Sequence, residues 1–215
     1  TGTVDGNATG TYQLTYTVSD GVNNEANTTR TVHVVMPSTH TTDLNASIQL
    51  QMLWVEPGTF TMGSPTSEAD RQADRETEHN VTLTKGFYLG KYEVTQAQYE
   101  VVMTGNTETN SSGDIISATP SNWPNNPNRP VEKVSWEDIQ VFITRLNAQQ
   151  SANIPAGWAY VLPTESQWEY ACRAGTITAY SWGDDINSSR ANYNWDGGGN
   201  DGNDFKQTRD VGQYA

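Results

Sequence analysis

The chain has 215 residues, 12 Lys and Arg against 25 Asp and Glu, a formal charge of −13, and 34% apolar residues. So few basic residues cannot supply the clustered positive charge that a nucleic-acid backbone or an anionic membrane surface requires, and no apolar run approaches the ~20 residues of a membrane-spanning helix. Disorder is excluded by 7 Trp, 10 Tyr and 4 Phe, which supply large surfaces to bury. At ~100–200 residues per domain, the length predicts one full domain plus a smaller piece. Low Lys with abundant Asn, Thr and Gly predicts an extracytoplasmic protein, whether secreted, periplasmic or on the cell surface. The sequence opens at Thr1 inside a strand-like pattern and reads as a piece of something longer.

Thr11 to Val18 alternates, with Tyr12, Leu14, Tyr16 and Val18 on one face, and Thr29 to Val35 alternates again after a polar connector. This predicts an antiparallel strand pair over residues 1–35, at best marginally stable without further strands or a covering layer. Residues 36–51 read as a polar linker, with Pro37 and a Ser/Thr-rich stretch. The main domain then runs over 52–215. Leu53 to Ser64 reads as two short strands about Pro57-Gly58, a dipeptide suited to a type II turn with Gly at φ > 0. Residues 65–78 form a loop of mixed charge, expected to be solvated and partly ion-paired. Val81–Thr84 and Phe87–Val94 are the next strands.

Three helices carry clear signals. Thr95 caps a helix from Gln96 to Met103 that stops near Gly105. Ser135 caps a longer one whose stripe is Trp136, Ile139, Phe142, Ile143 and Leu146. Thr164 and Gln167 can form a reciprocal capping box for a helix ending at Arg173, with Trp168, Ala171 and Cys172 expected inward. Helices among short strands and long Gly- and Asn-rich loops predict an α+β fold with much irregular structure.

Chemistry is sparse. His33, His40 and His79 are far apart, and no His-x-x-x-His or Cys-x-x-Cys pair exists, so a His-based metal site is not expected. His33 is expected on a solvent-facing strand position and His40 solvated in the linker. Ser64 and Ser135 have no nearby His and suit a turn and a cap. Glu165 and Glu169 lie one helical turn apart, a spacing open to acid–base work or to simple complementation of the helix dipole. No catalytic residue is assigned. Cys172, the one thiol, is expected to be a buried, inert structural residue. Asn192-x-Asn194-x-Asp196-Gly197 partly imitates an EF-hand loop start, but its twelfth position is Asn203 and no flanking helices are signalled.

Four blocks in order, GTFTMGSP, VTLTKGFYLGKYEVTQAQYE, NRPVEKVSWEDIQVFITRLN and YVLPTESQWEYACRAG, with YSWGDD and SRANYNWDGGGN after them, resemble the formylglycine-generating enzyme (sulfatase-modifying factor) domain, a variant of the C-type-lectin fold. The N-terminal strand pair resembles the end of a bacterial immunoglobulin-like surface repeat, with Tyr12 at the place of a corner tyrosine. The resemblance implies that the C-terminal part of the domain is missing, including the two cysteines with which oxidase members bind copper(I). It places Cys172 at a position disulfide-bonded in some members. It also implies calcium in the loop after Asn192, held by Asn192, Tyr193 and a residue among Asp201, Asp204 and Phe205; a flexible Gly/Asn loop is the alternative. Val161 stands where the family usually has arginine.

Two functions follow from the resemblance. One is a non-catalytic, C-type-lectin-like binding or structural module on an immunoglobulin-like stalk. Its partners would be an unknown ligand, a neighbouring surface protein, or a neighbouring copy that completes it by strand addition. The other is the scaffold part of a copper-dependent oxidase that converts a sulfatase cysteine to formylglycine, with its cysteines beyond residue 215.

Overall fold

The computed structural model describes residues 1–6, 9–22, 24–69, 71–193 and 207–214. Strand β1 (Gly10–Ser19) pairs antiparallel with β2 (Glu25–Val34), in a register running from Gly10 opposite Val34 to Ser19 opposite Glu25. The alternation works as expected, and His33 is solvent-facing, its Nδ1 2.9 Å from Thr11 Oγ1. The apolar face of the pair is only partly covered: Tyr16 is 51% and Val18 70% exposed.

Residues 36–51 are not a linker. They carry β3 (Thr39–Asp43) and the start of β4 (Gln49–Val55), which pair antiparallel from Thr39 opposite Leu53 to Asp43 opposite Gln49. Thr and Ser tolerate extended backbone, and pairing with the apolar β4 overrides their loop-like composition. Strand β7 (Phe87–Gly90) adds to the other edge of β4, giving the order β3-β4-β7, and ends four residues before the expected Val94.

The expected strands about Pro57-Gly58 exist but belong to different sheets, since β5 (Gly58–Met62) pairs with β6 (His79–Leu83). Nor does Gly58 take a positive φ. It is needed for closeness instead: a Cβ there would collide with the Tyr170 hydroxyl.

Helices α1 (Gln96–Met103), α2 (Trp136–Gln149) and α3 (Glu165–Arg173) each open on a complete capping box, from Thr95, Ser135 and Thr164. The core lies between α1, α2 and β4, where Leu50, Tyr99, Val102, Met103, Ile116, Phe142 and Leu146 are buried. Gln98 Nε2 donates to Gln49 O at 2.7 Å, fixing α1 against β4. The C-terminal carbonyls of α1, which a helix cannot satisfy itself, are met from α2: Arg145 Nε donates to Val102 O at 2.9 Å and Nη2 to Thr104 O at 2.8 Å. A cation at a helix C-terminus also complements its dipole. Trp136, the first residue of α2, falls outside the stripe and is 70% exposed.

Candidate functional site

The segment GTFTMGSP ends in a polar clamp on α3. Glu169 Oε1 accepts from the Gly63 amide at 2.9 Å and from Arg173 Nε at 2.8 Å, while Arg173 Nη2 donates to Gly63 O at 2.6 Å. One helical turn of α3 therefore satisfies both backbone polar groups of a single residue, Gly63, more than 100 residues away in sequence. Gly63 is obligatory here: at φ 101° an added Cβ would lie 2.8 Å from Thr77 O and 2.9 Å from Glu76 O. Beyond it, Ser64 Oγ donates to Glu76 Oε2 at 2.8 Å and Arg71 Nε donates to Ser64 O at 2.9 Å. Arg71 in the mixed-charge loop is thus spent on backbone, whereas the Arg75–Asp74 pair at 3.6 Å is solvated.

This clamp settles the role of Glu169 and turns α3 over. With Glu169, Arg173, Ser166 and Tyr170 against β5, and the Tyr170 ring 5.2 Å from Phe60, Trp168 and Cys172 lie on the far side. Trp168 is 58% exposed and the Cys172 thiol is exposed, so the expectation that both face inward is corrected. Glu165 is exposed in the first turn, a dipole complement rather than one of two acid–base carboxylates.

His40 also departs from expectation. It is half-buried in β3, its ring 5.4 Å from Tyr88 and its Nε2 3.3 Å from Thr42 Oγ1. Tyr88, Trp54 and Trp158 complete an aromatic cluster with ring centroids 5.0 to 6.1 Å apart. Desolvation raises the Tyr88 hydroxyl above its ordinary pKa. The loop before α3 is tied in through Asn147, whose amide donates to Tyr160 O at 2.8 Å and accepts from Tyr160 N at 2.9 Å. Nothing in the local pattern announces this cluster, because its members come from separate blocks of sequence.

Of the expected calcium ligands, Asn192 and Tyr193 are described, whereas Asp201, Asp204 and Phe205 lie outside the described residues. Asn192 Nδ2 donates to Gln207 O at 3.0 Å, holding these two residues together. That bond uses the amide nitrogen and leaves the carboxamide oxygen as the donor type a hard cation takes. Among the described residues no group of three His, Cys, Asp or Glu is placed to hold a metal. The copper(I) of the oxidases finds no fitting residues here, since Cys172 is the one thiol of the 215 residues and stands alone on the outside of α3.

Comparison with known proteins adds five findings. The family model described as the sulfatase-modifying factor enzyme 1-like domain matches residues 38–215, and that of the bacterial surface protein Ig-like domain matches residues 1–34. The formylglycine-generating enzyme of Mus musculus is 29% identical over 183 residues, covering 66% of this chain and 45% of the relative. A protein named chaperone protein LppX from Paenibacillus barcinonensis is 27% identical over 158 residues, covering 61% and 48%. The solved structure of PvdO from Pseudomonas aeruginosa superposes with a TM-score of 0.52 at 23% identity, over 66% of this chain and 54% of that one, a likeness of fold. The chain spans about half the length of the curated relatives it matches.

Proposed function

The chain belongs to the sulfatase-modifying factor enzyme 1-like domain family, and from that premise we propose that its 215 residues act as a non-catalytic binding or structural module of an extracytoplasmic protein. The observation that carries this reading is the exposed, solitary Cys172. Copper(I) held by thiolates needs more than one soft ligand, and the second is not in these residues. The same fold serves proteins with different roles, as the names of the mouse and Paenibacillus relatives illustrate. The match of residues 1–34 to a bacterial surface immunoglobulin-like domain supports display on a surface. The exposed Tyr16 and Val18 are where a neighbouring surface protein or a second copy would cover the β1–β2 pair.

The test is direct. Incubated with copper, oxygen and a cysteine-containing sulfatase peptide, the 215-residue chain is expected to leave the peptide mass unchanged. Formylglycine in the product overturns the non-catalytic reading. The likeness to the mouse enzyme favours one second reading, in which these residues are the scaffold of a copper-dependent oxidase whose cysteines lie beyond residue 215. An intact mass above 23.7 kDa together with two further cysteines decides for it.

Calcium belongs to the same proposal. Asn192, Tyr193 and an acidic or backbone oxygen from Asp201, Asp204 or Phe205 would hold it, and the Asn192–Gln207 bond supports that reading by keeping residues 192 and 207 close together. Bound calcium would brace the Gly- and Asn-rich segment that follows Asn192 in the sequence. A ligand specific for the folded state stabilises by about 2.7 kcal/mol at a hundred times its dissociation constant. Added EGTA is therefore expected to lower the melting temperature by several degrees, and readdition of calcium to restore it. An unchanged melting curve removes the site.

A further inference from the structure

The segment 207–214 docks on the loop before α2: Val211 N donates to Asn128 O at 3.0 Å, and Asn126 Nδ2 to Asp210 Oδ1 at 2.7 Å. Between them is a depression of about 190 Å³ lined by Arg129, Gln207, Arg209, Asp210 and Gln213. In a chain with 25 acidic and 12 basic residues, this lining carries two guanidinium groups against one carboxylate.

Arg129 is fixed in place there. Its carbonyl accepts from Gln96 N at 2.9 Å at the start of α1, and its side chain is only 21% exposed. Of the five donors on a guanidinium, Nη1 is used on Gln207 Oε1 at 3.2 Å. The buried Nε makes no hydrogen bond and faces Asp210 Oδ1 at 4.0 Å, beyond hydrogen-bond reach, while that oxygen is already engaged by Asn126. A half-buried cation with unspent donors beside a polar hollow is the arrangement that takes an anion, and guanidinium geometry matches carboxylate.

We propose that this depression binds a carboxylate joined to an amide, the chemistry at the carboxyl terminus of a peptide. Arg129 and Arg209 meet the carboxylate. The carboxamides of Gln207 and Gln213, each able to donate and accept, meet the adjoining peptide group. The volume favours one end of a chain, being below the roughly 300–1,000 Å³ of sites that enclose a whole drug-sized ligand. The rim is held by backbone bonds before any ligand arrives, so little ordering cost accompanies binding. The site goes beyond the module and oxidase readings and stands or falls apart from both.

Titration calorimetry on the 215-residue chain tests it, with N-acetyl-dialanine as the free acid, the same peptide as its C-terminal amide, and inorganic phosphate. The acid is expected to bind at millimolar concentration or better, with the amide and phosphate each about tenfold weaker or more, the worth of one charge-assisted hydrogen bond. Arg129→Gln and Arg209→Gln are each expected to weaken the acid by about the same factor. Should Arg129→Gln loosen the docked segment, seen as a lower melting temperature, Arg209→Gln alone carries the comparison. Equal binding of acid and amide, phosphate as tight as the acid, no binding of the acid, or an undiminished affinity in Arg209→Gln each overturns the proposal.

Discussion

Tyr99→Ala is expected to cost about 3–5 kcal/mol of folding stability, the range for truncating a buried aromatic side chain. Tyr99 is fully buried and stacks on Phe142 with ring centroids 5.3 Å apart and planes 9° from parallel, joining α1 to α2 at the centre of the core. Its removal leaves a cavity bordered by a helix pair whose other buried members, Val102, Met103 and Leu146, are already in close packing. Tyr99→Phe behaves in the opposite sense. The hydroxyl is buried without a hydrogen-bond partner, so deleting it relieves a desolvated polar group, and stability is expected to hold or rise by about 1 kcal/mol.

The same hydroxyl makes a pH signature. Desolvation first, and the negative charge of Asp138 second, push its pKa up to about 12 from 10.0. The unfolded chain therefore ionises at lower pH than the folded one. The stability at stake is fully present below pH 10 and lost as pH rises toward about 12. Urea unfolding followed across that interval is expected to fall more steeply for the natural chain than for Tyr99→Phe. Parallel curves would show that another of the ten tyrosines is responsible.

The second large effect is at the clamp. Glu169→Ala is expected to cost about 2–4 kcal/mol, because it leaves Arg173 Nε and the Gly63 amide without their acceptor, and the guanidinium without its counter-charge, where little water reaches; the two side chains are only 19% and 21% exposed. Arg173→Met alone is expected to cost a similar amount, since it leaves the Glu169 carboxylate without its cation and the Gly63 carbonyl without its donor. Combining it with Glu169→Gln is expected to cost less than the sum of the singles, the mark of groups acting on each other. Strictly additive costs in a double-mutant cycle would show that the two side chains hold α3 independently. Amide exchange supplies a local readout: α3 should lose protection in Glu169→Ala before α1 and α2 do.

The parts of the fold legible in the sequence are those governed by near neighbours. The three capping boxes need only residues three apart, and Thr95, Ser135 and Thr164 close theirs as expected. Period-two alternation sufficed for β1 and β2, and the stripe of Ile139, Phe142, Ile143 and Leu146 for the inner face of α2. The ordered blocks sufficed for the family, which the match over residues 38–215 bears out, and the likeness to PvdO bears out the fold. Composition misled at 36–51, because a Thr-rich strand looks like a linker until its partner is known.

What local pattern could not decide is which face of α3 turns inward. Hydrophobicity ranks Trp168 and Cys172 above Glu169 and Arg173, but Gly63, with both its N–H and its carbonyl to satisfy, reverses that order. The half-burial of His40 and the depression beside Arg129 are likewise set by residues from distant segments. By itself the sequence determined the helices, most of the strands, the family and the want of a second thiol, all properties of adjacent residues or of the residue count. Only the tertiary structure decided which polar groups are buried and paired, because buried donors and acceptors must find partners wherever the chain brings them, and here those partners lie more than 100 residues away.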